Sequence, residues 1–170
     1  MTFFQRLFRK PDRGIAPHLY RQIVALARQP HWYVEGEVAD SVDGRFDMIA
    51  AVLAMVLLRL EGEAGAVAPS TWIAECFVED MDGQLRQIGI GDIVVGKHIG
   101  KMMGMLGGRL GAYRAGLAAG DLKSALVRNV YRGHAPADAA LAHVEAGLVA
   151  LRARFDAASV AAILSTGLPE

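Results

Sequence analysis

The sequence predicts an all-α, single-domain bundle of seven or eight helices. Three observations carry that prediction. Apolar residues recur at helical spacing in segment after segment, capping and breaking residues separate the segments, and strand signals are nearly absent. There is no alternating apolar–polar run and no Asn-Gly hairpin. At 170 residues and 53% hydrophobic, the chain is long enough for one domain with a real core.

Residues 1–13 place Phe3, Phe4, Leu7 and Phe8 on one side of a short helix, with Arg6, Arg9 and Lys10 around it and Pro11 at its end. That pattern suits a membrane surface, or else docking on the chain's own domain. It is too short and too charged for a signal peptide and lacks the Ser-rich length of a transit peptide. The expected division is therefore a membrane-contact segment at 1–13 and a helical domain at 14–170.

Pro17 suits the first turn of a helix running to about Gln29, with Leu19, Ile23, Val24, Leu26 and Ala27 inward. Pro30 stops it, and His31-Trp32-Tyr33 reads as an aromatic loop. The next helix, Phe46 to about Leu60, is the most apolar. Met48 to Leu58 carries no charge, and eleven residues are too few to cross a bilayer, which needs about 20. A helix apolar all round belongs at the centre of a bundle. After a Gly/Ala loop, Pro69-Ser70-Thr71 opens a helix reaching Ile88. The chain breaks at Gly89-Ile90-Gly91 and restarts at Asp92, a good N-cap residue. Gly120 ends that helix, and Asp121 caps one from Leu122 to about Tyr131. Ala137 to Arg154 is an Ala-rich helix, and Asp156 is the expected cap of a last one.

The helix after Asp92 is unusual. Gly96, Gly100, Gly104, Gly107 and Gly111 fall within about 80° of one another at 100° per residue. Val95, Ile99, Met102, Met103, Leu106 and Leu110 share the adjoining face, and Lys97 and Lys101 flank the glycines on the other side. Each mid-helix glycine costs about 0.8–1 kcal/mol relative to alanine. Either close internal packing or a shallow groove for another helix must offset that. Internal packing is expected near Gly107 and Gly111, and an open face near Gly96 and Gly100. Met102, Met103 and Met105 are either core filling or adaptable side chains of a binding surface.

Charge is unevenly distributed although the net charge is zero. Residues 1–30 carry net +5, 31–92 net −9, 93–134 net +6 and 135–170 net −2. The middle blocks can neutralise each other on folding. The 93–134 block has only Tyr113 and Tyr131 as aromatics, which is poor for nucleic acid, and DNA is not an expected partner.

Catalytic and cofactor patterns are weak. Gly91 to Lys97 follows a phosphate loop until His98, where Ser or Thr should bind Mg²⁺. The five histidines show no i, i+4 pair, and no Cys-x-x-Cys is present. No cofactor, metal or catalytic set is predicted. Cys76, the single cysteine, reads as a packing residue. Ion pairing with Arg45, Arg86 or Arg109 is the default for Asp43, Asp47, Asp80 and Asp82. Arg45 is the expected bridge from the 43–47 block to Asp80 or Asp82. A second functional reading is a small-molecule or haem-binding helical protein with His98 or His143 as ligand.

Three blocks are specific together: Asp43-Gly44-Arg45-Phe46-Asp47; Phe77 with Asp80-Met81-Asp82, Leu85-Arg86 and Gly89-Ile90-Gly91-Asp92 ending in Val95-Gly96-Lys97; and Arg128-Asn129-Val130-Tyr131-Arg132-Gly133. In that order the chain resembles the ubiquinol–cytochrome c chaperone family, the assembly factors of respiratory complex III. The resemblance covers roughly residues 17–133 and leaves the tail after about 136 outside. It implies a helical, non-enzymatic chaperone that holds newly made cytochrome b. Mitochondrial members work on the matrix side with a smaller partner protein, near the ribosome exit. Without an obvious transit peptide, this chain looks like the bacterial version, peripheral on the cytoplasmic face of the inner membrane. The blocks and the glycine face together mark Asp43, Arg45, Phe46, Asp80, Asp82, Arg86, Gly96, Lys97, Gly100, Lys101, Gly104, Arg128, Tyr131 and Arg132 as candidate partner-binding residues.

Overall fold

A computed structural model describes residues 12–87 and 95–169, with the side chains of 85–87 and 95–102 outside that description. Eight α-helices are present among the described residues, and no strand. They are α1 Ala16–Ala27, α2 His31–Val34, α3 Val42–Leu60, α4 Val67–Gln87, α5 Val95–Ala119, α6 Lys123–Asn129, α7 Asp138–Ala157 and α8 Val160–Thr166, with a 3₁₀ turn at Ala64–Ala66 before α4. The membrane-contact residues Phe3, Phe4, Arg6, Leu7, Phe8, Arg9 and Lys10, and the break at Gly89–Asp92, lie outside the described residues.

The uncharged helix is the centre of the bundle. Every residue from Met48 to Val56 is buried on all sides of α3. Helices α1, α4, α5 and α7 all pack against it. It starts four residues earlier than its apolar run implies, because Ser41 Oγ accepts from the Gly44 N–H at 3.1 Å and Asp43 sits at the positive end of the dipole. At its other end Arg59 donates to the carbonyls of Phe155 (3.0 Å) and Ala158 (2.8 Å), which finishes α7 as well.

Local hydrogen bonding changed two sequence expectations. His31-Trp32-Tyr33 is a single helical turn rather than a loop, closed by Val34 N–H to Pro30 O (3.0 Å). Trp32 is buried and donates to Leu26 O at 2.8 Å, and Tyr33 donates to Ala27 O at 2.8 Å. Asp156 does not cap the last helix. It lies inside α7, pairs with Arg152 one turn back at 2.8 Å, and leaves the cap of α8 to Ser159, which accepts from Ala162 N–H at 3.1 Å.

Close approach to glycine occurs where the periodicity did not place it. A Cβ on Gly147 of α7 would lie 2.6 Å from ring carbons of the buried Trp32. We expect Gly147→Ala to lower stability by about 1–3 kcal/mol through overpacking. Thermal melting checks this, and an unchanged midpoint would show that the indole can move aside. Among the described glycines of α5, Gly116 is the tightly packed one, with a built Cβ 2.8 Å from Asp121 O and 2.9 Å from Leu122 Cδ2.

The tail is integral to the domain. Val144, Leu148 and Phe155 of α7 and Ile163 of α8 are fully buried in the core. Gln22 of α1 accepts from the Leu168 N–H at 2.8 Å, which fixes the end of the chain against its beginning.

Candidate functional site

The sequence blocks meet around one buried carboxylate. Asp47 is fully buried and accepts from Arg109 Nη2 of α5 at 2.5 Å and from Arg132 Nε, just past α6, at 2.6 Å. Arg132 also donates to Asp43 at 2.6 Å. These contacts hold the guanidinium of Arg132 protonated, with Asp47 the largest cause. The Arg109 guanidinium lies 5.0 Å above the ring of Phe46, which packs on Phe77 of α4 at 5.4 Å between centroids. Tyr131 donates to Gly36 O at 2.6 Å, and burial pushes its hydroxyl up to about 12. Asp43, Phe46, Tyr131 and Arg132 thus make contacts inside the fold and join α3, α4, α5 and α6.

Arg45 is not the bridge. It pairs with Asp40, five residues back, at 2.6 Å, with both side chains about half exposed. The 43–47 block instead meets α4 through Phe46 on Phe77, three residues before Asp80. Asp80 accepts from Tyr20 Oη of α1 at 2.7 Å and from Gln84 at 3.3 Å. Burial, then the Asp80 hydrogen bond, holds the Tyr20 hydroxyl protonated. Asp82 is half-buried and also engaged, whereas Arg128 is exposed at the end of α6. The side chains of Arg86, Lys97 and Lys101, and the surroundings of Gly96 and Gly100, lie outside the described residues.

A concavity among the described residues lies between α4 and α5. It is a groove of about 1060 Å³. Its floor is the last turn of α3, with Leu57, Leu58 and Leu60. One wall is α4, with Val67, Ala74 and Val78; the other is α5, with Met103, Leu106, Gly107 and Leu110. Val67 and Met103 on the two walls are among the few large apolar side chains exposed to solvent, at 68% and 43%. The rim is charged: Arg114 is paired with Glu61 (2.6 Å) at one place, and Arg13 with Glu79 (2.7 Å) and Glu75 (3.1 Å) at another.

The described part of the glycine face borders this groove at Gly107 and is open. A Cβ built on Gly104, Gly107, Gly108 or Gly111 meets no atom within 4 Å. This corrects the expectation of internal packing near Gly107 and Gly111. Leu106 and Tyr113 turn into the core instead, and the glycines face away from it. Met105 is exposed like Met103, so neither fills the core. The groove floor was missed in the sequence because Leu57, Leu58 and Leu60 look like any other residues of an apolar helix. The available signal was the neighbouring run of Gly and Ala after Leu60, which leaves that helix end uncovered.

The histidines form no metal cluster among the described residues. His143, a ligand in the haem reading, lies with Nε2 2.9 Å from His31 Nδ1, and the His31 ring packs tilted against Trp32 at 4.1 Å between centroids. Burial, then the charge of His143, lowers the His31 pKa. A histidine pKa lowered by folding means that the unfolded chain takes the proton first. Stability is therefore full above the unfolded value near 6.5 and declines as pH falls through it. We expect the thermal midpoint to drop between about pH 7.5 and 5.5, and the drop to shrink in His143→Gln. Equal pH slopes in the two proteins would contradict this. At Cys76, half-buried, burial raises the thiol pKa, in keeping with a packing residue.

The family model described as ubiquinol–cytochrome C chaperone matches residues 35–169. The chain belongs to that family. Among solved structures it is similar to one described as the crystal structure of the Cbp3 homolog from Brucella abortus. Identity is 34%, the TM-score is 0.80, and the match covers 96% of this chain and 93% of that one. A comparison with the curated proteins gives no match. The ubiquinol–cytochrome c chaperone match runs through α7 and α8, so the tail after 136 is part of the family domain. Its buried contacts with α1 and α3 are the physical reason. Membership makes the chain a chaperone of complex III assembly, and no helix among the described residues is long and apolar enough to cross a membrane.

Proposed function

We propose that this chaperone holds an apolar segment of newly made cytochrome b in the groove between α4 and α5, without doing chemistry on it. The observation that carries the proposal is the open glycine face beside an exposed apolar groove. A membrane helix in water needs its apolar side chains covered, and small residues let another helix come close. Exposed methionines adapt to varied client side chains without a fixed shape. The work takes place at the inner-membrane surface, on the cytoplasmic face of a bacterium, or on the matrix side if the source is mitochondrial. Residues 1–13 supply the membrane contact. A small partner subunit and the ribosome exit region fit the same setting, and their contact residues are sought first at the exposed Arg128, at Arg45 and at Lys97 and Lys101.

Photo-crosslinking tests the site. A benzophenone side chain placed at Met103 should capture cytochrome b in cells, whereas one at the exposed Val149 of α7 should not. Equal capture from both positions would remove the groove. Loss of the protein should lower assembled complex III and leave other respiratory complexes largely intact. Normal cytochrome b levels in the deletion strain would contradict the client assignment.

A further inference from the structure

We infer that residues 1–11 of this chain occupy the groove when no client is present, and that an anionic membrane draws them out. The inference rests on the groove being the client site. Its starting point is where the segment emerges. Arg13 lines the groove and is held there by two hydrogen bonds to Glu79, at 2.8 and 2.7 Å, and by its pair with Glu75. Asp12 accepts from the Gly14 N–H at 3.0 Å, which tightens the same turn. The chain thus enters the described domain at the mouth of the groove.

Shape and charge both match. A helix of eleven residues is about 16 Å long and about 10 Å across, the scale of a groove of about 1060 Å³. Phe3, Phe4, Leu7 and Phe8 are spaced as the apolar face of a client helix would be. The segment carries Arg6, Arg9 and Lys10 and no acidic residue. The described rim carries Glu61, Glu63, Glu75 and Glu79 against Arg13, Arg114 and the Arg59 that pairs with Glu63 at 3.9 Å, and so keeps an excess of one negative charge. A short tether raises the local concentration of the segment to about the millimolar range, so even weak docking covers apolar surface that would otherwise invite aggregation. The same phenylalanines cannot lie in lipid and in the groove at once. Membrane arrival and groove opening are therefore one event.

The test uses the full chain with Cys76→Ser as background. Phe8→Cys is combined with Thr71→Cys in the groove wall, or with Val149→Cys on α7. Under mild oxidation the 8–71 pair should close within one chain at least about tenfold faster than the 8–149 pair, as expected for a docked tether. Vesicles containing phosphatidylglycerol should slow the 8–71 closure, and neutral phosphatidylcholine vesicles should not. Nile red reports the groove separately: its fluorescence should rise several-fold in Phe4→Asp/Phe8→Asp and fall again when Gly107→Trp is added. Equal closure of the two pairs, or disulfides only between chains, overturns the inference. Nile red binding that depends on Gly107 and is the same with and without the phenylalanines overturns it too, but leaves the groove reading intact. Binding that ignores Gly107→Trp in every variant removes the groove reading itself. Closure unaffected by anionic vesicles overturns the membrane release.

Discussion

Asp47→Ala should lower the stability of this protein by about 3–5 kcal/mol, the usual result of removing one partner from a buried ion pair. The carboxylate is fully buried and is the only described acceptor that Arg109 and Arg132 share. The two guanidiniums do not suffer equally. Arg132 is about half exposed and keeps Asp43, so water can take over part of its solvation. Arg109 is 12% exposed and already has Nη1 buried with no partner, so its charge bears most of the loss. A net stability of 5–15 kcal/mol is typical of a domain, so the variant should be close to unfolding at growth temperature. Asp47→Asn keeps the shape and one acceptor oxygen and should fall between the two. Urea titration followed by helical circular dichroism is the measurement. A loss under about 1 kcal/mol for Asp47→Ala would mean that the two arginines rehydrate freely.

Gly104→Leu with Gly107→Leu should do the opposite to stability and remove function. Both positions are helix-interior and their built Cβ atoms meet nothing within 4 Å. Each substitution removes the entropic penalty of glycine and should add a few tenths to about 1 kcal/mol. The new side chains fill the space where a client backbone has to come close. Capture of cytochrome b should therefore fall about tenfold or more, equivalent to 1.4 kcal/mol or more of lost binding. Melting curves and client pull-downs on the same variants decide the matter. A sharp drop in melting temperature would show a packed face, and unchanged capture by a stable variant would discard the groove as client site.

Particular residues show how far the chain could be read. The helix of Met48 to Leu58 was legible as the bundle centre because an uncharged helix has no solvent face. Pro17 and Gly120 marked a helix start and a helix end, since each acts through its own backbone angles. Ser159 caps the last helix where the sequence points to Asp156, and Ser41 caps α3, for which the sequence marks no single cap; only the hydrogen bonds show which oxygen reaches a free N–H. The glycine helix could be recognised as unusual from its period alone. Its direction could not, because Gly107 looks the same whether a neighbour covers it or not.

Helix count, the central helix, the glycine stripe and the family were determined by the sequence itself. These depend on residue spacing along one segment, or on short blocks of adjacent residues, and need no knowledge of what lies opposite. The partner of each charge was decided by the tertiary structure. Arg45 could equally have met Asp80, yet it met Asp40, while Asp47 drew arginines 62 and 85 positions away. Many acidic and basic residues could satisfy one another by charge alone, and packing on α3 selects which of them touch. The groove has the same origin: its floor, its walls and its rim come from α3, α4, α5 and the turn at Arg13, and it exists only where they meet.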